Sequence, residues 1–349
     1  MQSPRCSRRS EAGNAKSFLS GIGLSLASLL VCLLVVEGVL RWQHQRNIDE
    51  LSQSVGKNEV CTRRSSDPDL VYEIRPGQGG ANADGYLGPD YALQKPAGVF
   101  RIVMIGDSVA MGQGLQPNES LGVLLQNELN LLKVDGIDRF EVMVMAVSGY
   151  STSQEIIVLE NNALRYSPDL LVWSYVLNDP AHPVYHNANG AMGEYYYKPG
   201  IHLVDFVQRR LFQLREKNLS QACEEEFHLL LHCAYWPEVE RNVRHIGSTL
   251  QAEGVPGVFM IHPIFPHTGG YDTYPLEGLH VRLRELAQGA GLAPVDLLPV
   301  FSPHEPANLA QHTADGLDPW HPNAKANRMA AGYLRAALQH GGHLTLGEG

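Results

Sequence analysis

From residue 100 onward, short apolar runs alternate with stretches of helical period. The runs are Phe100 to Ile105, Val142 to Val147, Asp169 to Val176, Val255 to Ile261 and Ala293 to Leu297, and each reads as a buried strand. Behind the capping residue Asn118, leucines at 121, 124, 125, 129 and 132 recur near the helical period. Thr152 and Glu155 have the spacing of a capping box ahead of Ile156, Val158, Leu159 and Leu164. Further helices are expected from about Leu203 to Lys217, Pro237 to Ala252, Leu276 to Gln288 and Ala324 to Gln339. Alternation of this kind implies parallel strands with helices on both faces, joined by right-handed crossovers. The expectation is one three-layer α/β/α domain over residues 98–340, with an insertion near 180–235.

The first hundred residues follow another pattern. Phe18 to Val36 carries no charge and is long enough for a helix across a hydrocarbon core, and Arg5, Arg8, Arg9 and Lys16 precede it against Glu11 alone. A cleaved signal peptide has a shorter apolar core ending at small residues. Here the run continues into Glu37-Gly38-Val39-Leu40-Arg41-Trp42, and Trp42 suits a membrane interface, so an uncleaved anchor over 18–40 is the better reading. The positive flank puts residues 1–17 in the cytoplasm and everything after the span outside, as for a single-pass inner-membrane protein facing the periplasm. Residues 41–97 are polar and broken by turns such as Arg75-Pro76-Gly77-Gln78-Gly79-Gly80, and read as a linker and a lead-in over the domain edge.

Hydrophobic residues at 44% and charged residues at 18% are ordinary for a globular protein. The net charge of -10, with no long basic run outside the N-terminus, argues against nucleic acid as a partner. Cys223 and Cys233 are close enough in sequence to close a short loop in an oxidising compartment, while free thiols at Cys61, Cys223 and Cys233 remain the alternative. There is no CxxC pair to suggest structural zinc or thioredoxin-like chemistry. His182 with His186, and His228 with His232, have the four-residue spacing of helical metal ligands. Neither pair encloses the glutamate of a zincin helix, and they read as surface or core histidines.

Chemistry gathers where the expected strands end. Gly106-Asp107-Ser108-Val109 follows the first strand, with Gly112 and Gly114 behind it. A serine hydroxyl becomes a useful nucleophile when an imidazole takes its proton and a carboxylate orients the ring, and Asp318-Pro319-Trp320-His321 lets one loop present both. Gly149 lies just past the second strand and Asn178 just past the third. A backbone N–H from Gly149 and the Asn178 amide can join the Ser108 N–H as donors to a developing oxyanion. His262, after the fourth strand, either lines the substrate cleft or packs in the core.

The order Ser108, Gly149, Asn178, then Asp318 and His321, resembles the four blocks of SGNH/GDSL-type serine hydrolases. Its more specific parts are Gly-Asp-Ser-x-x-x-Gly-x-Gly at residues 106–114 and Asp-x-x-His at 318–321. One departure is Val176, where the third block usually has glycine. The Gly-x-Ser-x-Gly elbow of other α/β-hydrolases is absent, since residue 110 is Ala. The resemblance implies a flavodoxin-like fold, a shallow exposed site, and Ser108 as nucleophile, His321 as base then acid and Asp318 as orienter. It implies no cofactor or metal, and substrates among acylated carbohydrates and lipids. The lead-in Asn82-Ala83-Asp84-Gly85-Tyr86-Leu87-Gly88-Pro89, with the run Lys95 to Ile102, also resembles membrane-tethered members associated with envelope polysaccharides, which would supply assembly partners. The expected function is a membrane-anchored extracytoplasmic esterase removing O-acyl groups, foremost acetyl. The rivals are an O-acyltransferase using the same triad and an inactive glycan-binding assembly factor.

Overall fold

The computed structural model describes residues 9–55, 61–185, 191–221, 223, 226–314 and 316–342. Helix α1 (Arg9–Val55) contains the uncharged run and continues past its expected end at residue 40. Within Gly21–Ser52 it is long and apolar enough to cross a membrane. The extension has a tertiary cause: Glu37, Leu40, His44 and Ile48 are half-buried at helical spacing, whereas residues 21–36 are exposed. The lead-in is likewise more than a linker. Its antiparallel pair β1 (Thr62–Arg64) and β2 (Tyr72–Ile74) buries Leu70, Tyr72 and Ile74 in the main core.

Strands β3 (Val99–Gly106), β4 (Arg139–Ala146), β5 (Leu170–Val176), β6 (Gly257–His262) and β7 (Ala293–Asp296) form one parallel sheet. Its order, β4-β3-β5-β6-β7, is the doubly wound order of flavodoxin-like folds. Successive residues of β3 feed opposite cores: Ile102 and Met104 pack on one face of the sheet, Val103 and Ile105 on the other. Arg101 interrupts this run yet is fully buried. Its guanidinium donates to Glu141 at 2.8 and 3.0 Å and to the Tyr166 carbonyl at 2.9 Å, so no donor-rich charge is stranded in the core.

The helices are α2 (Ser108–Met111), α3 (Leu121–Leu129), α4 (Thr152–Asn161), α5 (Ala191–Tyr196), α6 (His202–Ser220), α7 (Phe227–Glu253), α8 (Glu277–Gly289), α9 (Leu298–Phe301) and α10 (Ala324–His340). Helix α3 has Ser120 as its N-cap, because Asn118 lies in a separate 3-10 turn, Pro117–Glu119. At α4 the box is Ser151 with Gln154, one residue earlier than expected, and this turns Glu155 into the core. Helix α7 begins ten residues before Pro237, which the sequence suggested as its start. Buried Leu231, Ala234 and Tyr235 hold that first half in place, and Glu226 caps it through the Leu229 N–H at 2.8 Å. A disulfide joins Cys223 to Cys233 across the α6–α7 turn, leaving Cys32 and Cys61 as free thiols among the described residues. Finally β8 (Ala310–Thr313) and β9 (Gly316–Pro322) form an antiparallel pair beside the sheet.

Candidate active site

Ser108 opens α2 immediately after β3, at the carboxyl edge of the sheet between its neighbours β4 and β5. This is the point at which strand order reverses, where doubly wound sheets leave a crevice. Gly106 makes the approach possible. A Cβ there would stand 2.8 Å from the Ser174 carbonyl oxygen and from Ala110 Cβ, so only glycine lets the Ser108 turn sit against β5. Asp107 then caps α2, accepting the Val109 N–H at 2.9 Å.

Asp318 and His321 were expected on a loop; they lie on β9, anchored to the sheet edge where the Phe265 N–H donates to the Pro319 carbonyl at 2.8 Å. Asp318 Oδ1 accepts the N–H groups of Trp320 and His321 at 2.9 and 3.1 Å. Its Oδ2 faces His321 Nδ1 at 2.7 Å, and His321 Nε2 faces Ser108 Oγ at 2.9 Å. Burial alone would raise the Asp318 carboxyl, but the Trp320 N–H, the His321 ring and the His321 N–H outweigh it and hold the group below its ordinary range. An anionic Asp318 keeps the proton on Nδ1 and leaves the Nε2 lone pair to accept from Ser108. Asp107 Oδ2 also lies near Ser108 Oγ, at 3.3 Å, but the imidazole contact is the shorter one.

Gly149 follows β4 with φ +74°, a backbone state that suits glycine. Its loop is braced on two sides. Tyr72 Oη donates to the Ser148 carbonyl at 2.8 Å, and Ser148 Oγ donates to Gln113 Oε1 at 2.5 Å. Gln311 in turn donates to the carbonyls of Gln113 and Pro322 at 2.7 and 3.1 Å, tying the loop behind Ser108 to the end of β9. These braces escaped the sequence reading because tyrosine and glutamine carry no motif of their own; only their non-local contacts identify them. Asn178 follows β5, and its side chain is among the groups that lower the Asp107 carboxyl against the effect of burial.

Behind these groups lie three buried acids, Asp107, Glu155 and Asp179. Burial raises all three carboxyls, and the mutual repulsion of the cluster adds to this at Glu155 and Asp179. Glu155 accepts from Trp173 Nε1 at 2.8 Å and Asp179 from the Val176 N–H at 2.7 Å. The shift reflects the penalty of burying charge without a counter-ion.

His262 is buried at the end of β6, with Nε2 2.9 Å from Ser174 Oγ, and burial then the neighbouring His280 push it down to about 3. This is the packing alternative for His262. Both ring nitrogens of His232 are engaged, by the Tyr175 hydroxyl at 2.9 Å and the His228 carbonyl at 2.8 Å. His182 Nδ1 accepts the N–H groups of Val184 and Tyr185, each at 3.1 Å, and its partner in the sequence pair, His186, lies outside the described residues. Among the described residues no group of three or more His, Cys, Asp or Glu side chains is placed to hold a metal ion. An open cavity of about 530 Å³ lies beside the Asp179 loop, lined among others by Thr152, His182, Phe212, Arg215, Tyr235 and Asn242.

No family model and no curated protein matches this sequence. Solved structures are similar in outline. TesA is 16% identical, with 69% of this chain and 98% of that one covered at a TM-score of 0.43. The acetyl xylan esterase AlAXEase is 16% identical, with 69% and 100% covered at 0.42. A lipase/acylhydrolase from Enterococcus faecalis is 16% identical, with 72% and 100% covered at 0.41.

Proposed function

We propose that this chain is an SGNH/GDSL-type serine hydrolase, anchored by α1, that removes O-acyl groups, foremost acetyl, from carbohydrate or lipid of the cell envelope outside the cytoplasm. The observation that carries the reading is the unbroken relay from Ser108 Oγ through His321 to Asp318, at 2.9 and 2.7 Å.

In this reading Ser108 Oγ bonds to the acyl carbon as its proton passes to His321 Nε2, and the carbonyl electron pair moves to the oxygen. The N–H groups of Ser108 and Gly149 and the Asn178 amide serve as donors to that oxyanion. Collapse expels the alcohol, which leaves with the proton from His321. Water then attacks the acyl-serine by the same route, releasing the carboxylic acid and restoring Ser108. The cavity beside the Asp179 loop, which presents aromatic and hydrogen-bonding side chains though no member of the relay lines it, suits a sugar ring.

A fluorophosphonate probe tests the nucleophile: it should label the intact chain at Ser108, and a Ser108→Ala chain should take up none. Acetate release from acetylated oligosaccharides, with a sugar alcohol added as competing acceptor, separates hydrolysis from acyl transfer. A reporter fused after residue 60 should be active only outside the cytoplasm; the opposite result reverses the topology.

A further inference from the structure

Helix α6 has two faces of different character. Its inner face holds buried Asp205, places Arg209 over the Tyr185 ring at 4.9 Å, and packs Phe212 against His182 and Tyr235. Its outer face carries Val204, Val207, Leu211 and Leu214, at i, i+3, i+7 and i+10, each between 47% and 61% exposed. A stripe of this length is not the scattered surface leucine of a soluble domain. Arg210 and Lys217 lie along one flank of it.

The start of this stripe is fixed to the apolar helix. No side chain of α6 caps its own N-terminus. Instead Glu37 of α1 accepts the N–H groups of His202 and Leu203 at 3.1 and 2.8 Å, and the rings of His44 and His202 meet at 5.1 Å. Glu37 is the first charged residue after the run that ends at Val36. The first turn of α6 therefore sits at the level where α1 leaves the hydrocarbon, and exposed Ile201 and Trp42 flank the junction.

We infer that α6 is a second membrane-contacting element, an interfacial helix whose Val204-Val207-Leu211-Leu214 stripe enters the acyl boundary of the bilayer while Arg210 and Lys217 meet the headgroups. An apolar face flanked by long cationic side chains is the pattern that binds such a boundary, and its continuity with α1 selects lipid over a protein partner. The inference rests on α1 spanning a membrane. It goes beyond that reading in consequence: Phe212, turned away from the stripe, and Arg215, on the flank opposite Arg210 and Lys217, line the cavity beside the Asp179 loop, so the bilayer surface would set the position of that cavity.

The test uses nitroxide labels in the full chain reconstituted in vesicles of phosphatidylethanolamine and phosphatidylglycerol. Single cysteines replace Val207, Leu211 or Leu29 in a background with Cys6, Cys32 and Cys61 changed to serine and the 223–233 disulfide kept. Collisions with oxygen, which partitions into lipid, are compared with those of a water-soluble nickel chelate. Oxygen should exceed nickel several-fold at Val207 and Leu211, as at Leu29. Nickel dominance at 207 and 211, with oxygen dominance at 29, overturns the α6 inference and leaves the anchor standing. Shielding from both reagents at 207 and 211 means a protein surface covers the stripe, and also overturns it. Nickel dominance at all three sites removes the anchor and the inference together.

Discussion

The Tyr150 hydroxyl donates to the Tyr72 carbonyl at 2.6 Å, and the two rings meet edge to face at 5.4 Å. Through this pair the lead-in segment grips the loop that carries Gly149, since the Tyr72 hydroxyl returns to the Ser148 carbonyl. Tyr72→Phe removes that last bond and keeps the ring. It should lower stability by about 1 kcal/mol. If Gly149 serves the oxyanion, the same variant should lower kcat on p-nitrophenyl acetate with little change in KM, and an unchanged kcat would detach the brace from catalysis.

The relay predicts graded losses. Ser108→Ala and His321→Ala should each remove nearly all turnover while leaving the thermal transition close to that of the parent. Asp318→Asn keeps an oxygen for the Trp320 and His321 N–H groups, so the strand should hold its shape. The amide no longer fixes the tautomer, and kcat should fall by roughly 10³–10⁴. Steady-state kinetics of the three variants decide this; a His321→Ala chain with most of its rate would mean another base.

Asn178→Ala should lower kcat by roughly 10²–10³ with KM nearly preserved, the mark of a donor used in the transition state. A rise in KM at constant kcat would make Asn178 a ground-state contact instead. Because its side chain also acts on the buried Asp107 carboxyl, circular dichroism of the variant accompanies the kinetics.

Glu155 should make the fold less stable as pH rises. Its carboxyl is raised above the usual 4.5 by burial and by the nearby Asp107, so between 4.5 and the raised value the native state holds a proton that the unfolded chain releases. Stability from this group is full below about pH 4.5 and declines as pH climbs through that window. Glu155→Gln should flatten that part of the profile in urea titrations at a series of pH values. A slope identical to the parent's would show that the burden lies on Asp179 or Asp107.

The sheet was legible because each strand is a short apolar run bounded by turn residues, and the observed strands depart from expectation by no more than a few residues at their ends. Asp-x-x-His was legible as a local spacing, but its place on β9 was not, since β8 and β9 are short, largely polar and bulged, and lack the buried alternation that marks a strand. The reading of Glu155 as a cap failed for a related reason. Capping boxes recur by composition, and a one-residue shift to Ser151 sends the acid inward, where Trp173 receives it. Pro237 misled because a proline usually marks a first turn, whereas packing of Leu231 and Tyr235 carries α7 through it. The extension of α1 and the burial of Tyr72 depend on surfaces far away in the chain, which periodicity does not see.

Ser108 and His321 are 213 positions apart in the chain. Synthesis proceeds from the amino end, so the strand bearing the serine and most of the sheet are made long before the hairpin that brings the imidazole. Until β9 lies against β8, with the Pro319 carbonyl holding the Phe265 N–H, that hydroxyl has no base from this hairpin beside it. On the proposed mechanism, a nascent chain still in transit would be chemically silent, and so would a fragment ending before residue 310. On that mechanism the sequence order of the elements would work as a safety catch, released by the last hairpin to arrive.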